Sequence, residues 1–166
     1  MNRIKVVSEP AELVPILRAV DTDVKREVFQ EVSTDWRTVA QIQEKFGPEG
    51  VEALRFIEKM KLVETKWQTV PGSRAPEKAY HGFYSQFHID ATIPVKEVSE
   101  VLHIAMMPEE KYAPIEMQIY DLAGEEGRFS GDIADALKVS QTTLRALVKR
   151  SARLDFRGQR IMRFED

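Results

Sequence analysis

The chain has 166 residues, enough for one ordinary domain or two small ones, and its apolar fraction of 43% is that of a globular rather than a disordered protein. It holds no cysteine, which excludes disulfides, thiolate metal sites and cysteine nucleophiles. No apolar run reaches the ~18–20 residues of a membrane span, and residues 1–5 lack the apolar core of a signal segment, so the cytoplasm is the expected compartment and no membrane partner is expected. The net charge of −3 is unevenly spread. From residue 128 onward nine Lys and Arg stand against five Asp and Glu, a balance of +4, and the rest of the chain carries −7. A basic end on an acidic body directs attention to a polyanion at that end.

Residues 1–10 read as a loose or strand-like leader. Leu13, Val14, Leu17 and Val20 recur at helical spacing over 11–20, where Pro15 is tolerable only near the start. Asp21-Thr22-Asp23 breaks that run and caps a helix over 24–32, with Val24, Val28, Phe29 and Val32 on one face. After a turn at 33–35, residues 36–46 keep the helical period through Val39, Ile42 and Phe46 and stop at Gly47-Pro48. The helix resumes over 49–61 with Val51, Leu54 and Ile57 inward. Residues 62–70 read as a strand, 71–76 as a loop tip, and 79–89 as a return strand alternating aromatic and polar residues.

Residues 94–107 read as a helix in which Val95, Val98, Leu102, Ala105 and Met106 form a short seam of coiled-coil type, fit to join two units or to pair with a second chain. Pro108-Glu109-Glu110 open a further helix through 123, carrying Ile115, Ile119, Tyr120 and Leu122 and ending at Gly124. A shorter helix over 131–137 ends at Lys138-Val139. Ser140 then caps the helix SQTTLRALVKR, which turns Leu144, Leu147 and Val148 to a core and Gln141, Thr142, Arg145 and Lys149 away from it. Helix, tight turn and a second helix with a polar outer face is the helix-turn-helix plan. Short strands at 154–156 and 161–164 around Arg157-Gly158-Gln159 read as a wing.

The same order of elements occupies residues 24–89. With one residue of slack at the turn, residues 39–60 lie over 130–150, so that Ile42 matches Ile133, Phe46 matches Leu137, Leu54 matches Leu144 and Ile57 matches Leu147. The expected fold is mainly α with small β-hairpin wings, as two tandem winged helix-turn-helix units. Residues 1–93 form the first, 94–107 a linking helix and 108–166 the second.

Residues 24–63, VKREVFQEVSTDWRTVAQIQEKFGPEGVEALRFIEKMKLV, resemble ArsR-type and MarR-type winged-helix regulators. Leu62-Val63 matches the dipeptide that leads into the wing, residues 80–87 resemble its returning strand, and residues 130–150 resemble the same group. The resemblance implies sequence-specific binding of double-stranded DNA by a homodimer in transcription control. Two departures stand out. Metal sensors of the ArsR type use cysteine pairs or His/Asp clusters, whereas this chain has no cysteine and His81, His88 and His103 show no ligand spacing. The first recognition helix begins Pro48-Glu49-Gly50-Val51-Glu52, where the family prefers Ser, Thr and basic residues, and Glu49 and Glu52 would repel phosphates.

The candidate DNA contacts follow from residue chemistry. Gln141 and Thr142, with Thr143 beside them, stand near a helix N-terminus and suit base edges, and Arg145 suits guanine or a phosphate. Lys149, Arg150, Arg153, Arg157 and Arg160 would hold phosphates around that helix and wing. In the first unit the candidates are Arg55 and Lys59 on the helix and Lys66, Arg74 and Lys78 on the wing. The second unit has the more DNA-like chemistry of the two.

A different class of function is a protein–protein scaffold, for which an acidic first recognition helix and an outward Phe56 would be suited. An enzyme is not expected. No Gly-rich phosphate loop, metal-ligand spacing or Gly-x-Ser-x-Gly turn occurs, and the Glu109-Glu110 and Glu125-Glu126 pairs sit at helix ends. No cofactor is implied. Trp67, Tyr80, Phe83, Tyr84, Phe87, Met106 and Met107 are candidates to line a small-ligand pocket, with core packing the competing role, and the identity of an effector is left open.

Overall fold

The computed structural model describes residues 2–90 and 92–164, so that Met1 of the expected leader and the last two residues lie outside the described ones. In chain order the elements are β1 (Ile4–Val7), a 3-10 turn (Pro10–Glu12), α1 (Leu13–Arg18), α2 (Asp23–Thr34), β2 (Arg37–Thr38), α3 (Val39–Lys59), β3 (Val63–Gln68), β4 (Glu77–Gly82) and β5 (Gln86–Ile89). They continue with α4 (Val95–Met106), α5 (Glu109–Ala123), β6 (Arg128–Phe129), α6 (Ser130–Leu137), α7 (Gln141–Arg150), β7 (Leu154–Arg157) and β8 (Arg160–Arg163). Helices dominate, and the strands form small antiparallel sheets.

Two compact units divide the chain. One comprises the described residues up to Val6 together with Ala19–Ile89, and the other Val7–Arg18 together with the described residues from Asp90 on. The division differs from an expected break at residues 93 and 94. Ala11 and Val14 of the N-terminal segment, and Val101, Ile104 and Ala105 of α4, belong to the core of the second unit. Helix α4 is therefore part of a unit and not a link.

In the first unit, α2 starts where the Thr22 hydroxyl accepts from the Lys25 amide at 3.2 Å, and it buries Val28 and Val32. A capping box opens α3: the Gln41 amide donates to Thr38 Oγ1 at 3.3 Å, and the Thr38 amide donates back to Gln41 Oε1 at 2.9 Å. This box holds the preceding backbone extended. Arg37 and Thr38 thus form a strand against Tyr80 and Ala79, where a helix from residue 36 was expected.

Gly47 breaks α3 with φ 69° and ψ −163°, a conformation essentially reserved for glycine, and Pro48 restarts it. Three residues on, Gly50 lets the two halves touch, since a Cβ there would lie 2.5 Å from that of Phe46. Strands β3 and β4 pair from Val63↔Gly82 to Gln68↔Glu77, and the sheet order is β2-β4-β3. The expected single return strand is split. Gly82 packs tightly on Ser33, the chain turns, and β5 pairs with β1 instead. Ile42, Leu54, Ile57, Leu62 and Tyr80 join the α2 valines in this unit's core.

The second unit has the same local sequence of parts. Helix α5 leads through β6 to α6, which ends at left-handed Lys138, and Ser140 caps α7 by accepting from the Thr143 amide at 3.0 Å. Strands β7 and β8 form a hairpin from Leu154↔Arg163 to Arg157↔Arg160, in a sheet ordered β6-β8-β7. Ile119, Ile133, Leu144, Leu147, Leu154 and Ile161 are its buried centre. Helix α4 buries Val101, Ile104 and Ala105 here and turns Val95, Leu102 and Met106 outward, so the expected five-residue seam is divided between two faces.

Candidate nucleic-acid interface

Each unit presents an outer helix beside a hairpin, but the two helices differ in what covers them. Against α3 pack α2 and strands β2, β3 and β4 of its own unit. The face of its second half that carries Glu49, Glu52 and Arg55 is exposed. Beside it, the β3–β4 hairpin exposes Lys66, Arg74 and Trp67, the last with 72% of its surface accessible. Lys66 lies over the Trp36 ring at 4.0 Å, and Trp36 stacks on His81 with centroids 5.2 Å apart. Lys78 is engaged by Glu58, whose carboxylate raises the lysine's pKa. Lys59 is buried at 9% exposure near the point where the chain reverses through left-handed Lys61, so it is not available to a phosphate. Phe56 is half-buried beneath the Lys25 ammonium, 5.6 Å from the ring centroid.

Helix α7 is packed by more elements than α3. Helices α6, α4 and α1, strand β7 and the 3-10 turn all pack against it. Ala146 and Arg150 are buried along with Leu144, Leu147 and Val148. What remains outward is a strip of Gln141 and Arg145, exposed, with Thr142 and Lys149 half-buried. Arg145 is paired with Glu9 at 2.9 Å. The Thr143 hydroxyl donates to Glu100 Oε2 at 3.3 Å. Both carboxylates come from segments far off in the chain, 136 residues away for Glu9, and no local pattern announces them.

Arg150 corrects the sequence reading most clearly. Its guanidinium donates to the Ile104 and Met107 carbonyls at 2.7 and 2.6 Å and pairs with Glu109 at 3.0 Å, 4.2 Å from the Tyr112 ring centroid. It donates to carbonyls at the end of α4 and is not a phosphate contact. Its helical position in line with Ala146, rather than with Arg145, was the available signal. Tyr112 donates its hydroxyl to the Leu147 carbonyl at 2.8 Å, and burial pushes its pKa up.

On the second hairpin, Arg153 pairs with Glu116 at 3.1 Å and lies over Tyr120. Arg160 donates to the Gly127 carbonyl at 2.6 Å, and Arg157 is exposed at the tip. Of the three histidines, His81 is half-buried against Trp36 and His88 and His103 are exposed. Among the described residues no group of three or more His, Asp or Glu is placed to hold a metal ion, and no helix is long and apolar enough to cross a membrane. Tyr80, one of the aromatic candidates for a ligand pocket, is core, whereas Met107 lines a cavity in the second unit.

Each unit thus sets a helix–turn–helix pair before a hairpin with basic side chains nearby. The chain belongs to the ArsR transcriptional regulator family, whose family model matches residues 7–165. No curated protein matches it significantly.

Proposed function

We propose that this ArsR-family chain is a DNA-binding transcriptional regulator, built of two winged helix-turn-helix units and acting as a homodimer in the cytoplasm. The observation that carries the reading is the exposed second half of α3 beside a hairpin bearing Lys66 and Arg74, in a chain of a transcriptional regulator family.

The first unit is assigned the groove, contrary to the expectation from residue chemistry alone, and the reason is one of size. A major groove is about 12 Å wide and a helix with its side chains is about 10–12 Å across, so a recognition helix enters without a flanking element on its outer side. Helix α3 meets that condition. Helix α7 has the 3-10 turn against it, with Glu9 on its arginine. Glu49 and Glu52 are acceptors that match the cytosine amino group rather than a phosphate, and Arg55 suits guanine. Lys66 and Arg74 supply backbone contacts from the wing.

The second unit is assigned the assembly role. Outward Val95, Leu102 and Met106 on α4 are the surface for a second copy. This is also the observation that favours a scaffold as the second reading, since a covered α7 with a paired Arg145 suits protein contacts more than DNA. Selection of bound fragments from genomic DNA, followed by anisotropy titration across a salt series, tests the proposal. The expected result is submicromolar binding to selected sites with steep salt dependence. Absence of any retained DNA at low salt would leave the scaffold reading in its place.

A further inference from the structure

Helices α4, α5, α6 and α7 of the second unit line an open cavity of about 340 Å³. That volume lies at the lower end of the range of small-molecule sites. Its apolar wall includes Met107, Ile115, Leu137 and Val139, each only partly buried although the core lies directly beneath them. A concavity beside α2, about 570 Å³, is larger, but its walls are Arg26, Glu27, Gln30, Glu31, Thr34 and Arg37, a solvated charged surface. The cavity of the second unit, by contrast, combines an apolar wall with a few polar groups at its rim.

Glu100 stands at that rim. Its Oε2 accepts from Ser140 Oγ at 3.4 Å and from Thr143 Oγ1 at 3.3 Å, both long for hydroxyl donors. No cation pairs with it among the described residues, and Oε1 has no partner there. A carboxylate offers about four acceptor positions, so this half-exposed one keeps acceptor capacity for a further donor beside apolar surface. Both donors stand at the N-terminus of α7. Such a carboxylate attracts a cation or an N–H donor and repels an anion.

We propose that the cavity binds a small amphipathic molecule whose apolar body lies against Met107, Ile115, Leu137 and Val139 and whose ammonium or other N–H-bearing head pairs with Glu100. The head would take Glu100 from Ser140 and Thr143, which sit at the start of α7, so occupancy acts on the junction of α4 and α7. The site is argued without reference to DNA, and its test contains none, so it stands or falls separately from the groove assignment.

The experiment is a methyl-labelled NMR titration of the full chain with three probes that share a tail: 4-phenylbutylamine, 4-phenylbutanol and 4-phenylbutanoate. The amine is expected to give saturable shifts at Ile104, Ile115, Leu137 and Val139, to bind more tightly than the alcohol, and to leave the carboxylate weakest. Glu100→Gln is expected to weaken the amine about tenfold and leave the alcohol unchanged. Val139→Trp fills the cavity and should abolish binding by all three. If that variant does not fold, Ile115→Phe serves as the blocking substitution. Saturable binding by none of the probes, shifts centred away from the cavity, or an amine affinity unaltered by Glu100→Gln would each overturn the proposal.

Discussion

The guanidinium of Arg150 lies 3.0 Å from the carboxylate of Glu109, with the arginine side chain 1% exposed and the glutamate 66%. The pair is asymmetric, and so is the cost of breaking it. Arg150→Ala removes the donors to two carbonyls at the end of α4 and the contact with the Tyr112 ring, and is expected to destabilise the second unit by roughly 2–4 kcal/mol. Glu109→Gln keeps those bonds and alters only a solvent-screened partner, for a loss of at most about 1 kcal/mol. Arg150→Lys should resemble the alanine variant, because one ammonium cannot reproduce the planar fork. Urea denaturation of the three variants decides the matter; equal losses for Arg150→Ala and Glu109→Gln would contradict the clamp.

Arg150 also marks the limit of what the sequence makes legible. Hydrophobic period located the helices and cap chemistry marked the starts of α2 and α7 at Thr22 and Ser140, whereas the Thr38 capping box that opens α3 went unread and that helix was expected from residue 36. Those signals act over a few residues and are written into the chain locally. Strands β2 and β6 span two residues each and exist because β4 and β8 offer unpaired backbone edges, which no local pattern reveals. The candidate site suffered most. Helical spacing separated Gln141 and Arg145 from the core correctly, but it does not say that α4, α1 and the 3-10 turn also pack against α7. Glu9 and Glu100, which occupy Arg145 and Thr143, arrive there through tertiary packing alone.

The groove assignment predicts a division between the two units in DNA titrations. Arg55→Ala should cost about 1–3 kcal/mol of affinity on the preferred site and relax the choice of base. Arg74→Ala should weaken all sequences alike and lower the salt slope by about one. Arg145→Ala should leave both affinity and slope unchanged, since its partner is Glu9. A large loss from Arg145→Ala with none from Arg55→Ala would return the groove to the second unit. Trp67 gives an optical check: in a Trp36→Phe background its exposed indole should change emission on DNA addition.

A pH dependence follows from Glu31, which accepts from Arg37 Nε at 2.7 Å and also pairs with Lys45. Those bonds, the lysine's first, hold its carboxyl below the ordinary carboxylate range. A depressed folded-state pKa contributes stability that is present above the ordinary glutamate value and is lost as pH falls through the folded one. Glu31→Gln should therefore lower Tm near neutral pH, and the gap to the parent protein should close in acid. Thermal melts of both proteins across that range provide the check, and a gap independent of pH would rule out the ion pairs as its source.

The proposed assembly through α4 rests on helical geometry. At about 100° per residue, Val95, Leu102 and Met106 fall within roughly 20° of one line, with the buried Ile104 opposite and Val101 and Ala105 on the flank between. The three are 87%, 39% and 79% exposed, a stripe of apolar surface with no cover within the second unit. A second copy laid along that stripe buries it symmetrically, as a two-fold interface requires. Leu102→Glu combined with Met106→Glu places like charges face to face across such an interface and should convert a dimer to a monomer in light scattering. The helical circular dichroism should be preserved, because neither side chain belongs to the core. Lys96→Glu, on the same helix outside the stripe, should leave the dimer intact. With two half-sites no longer held together, the double variant should bind a two-site DNA fragment with the affinity of a single half-site. A double variant that still sediments as a dimer would move the interface elsewhere on the chain.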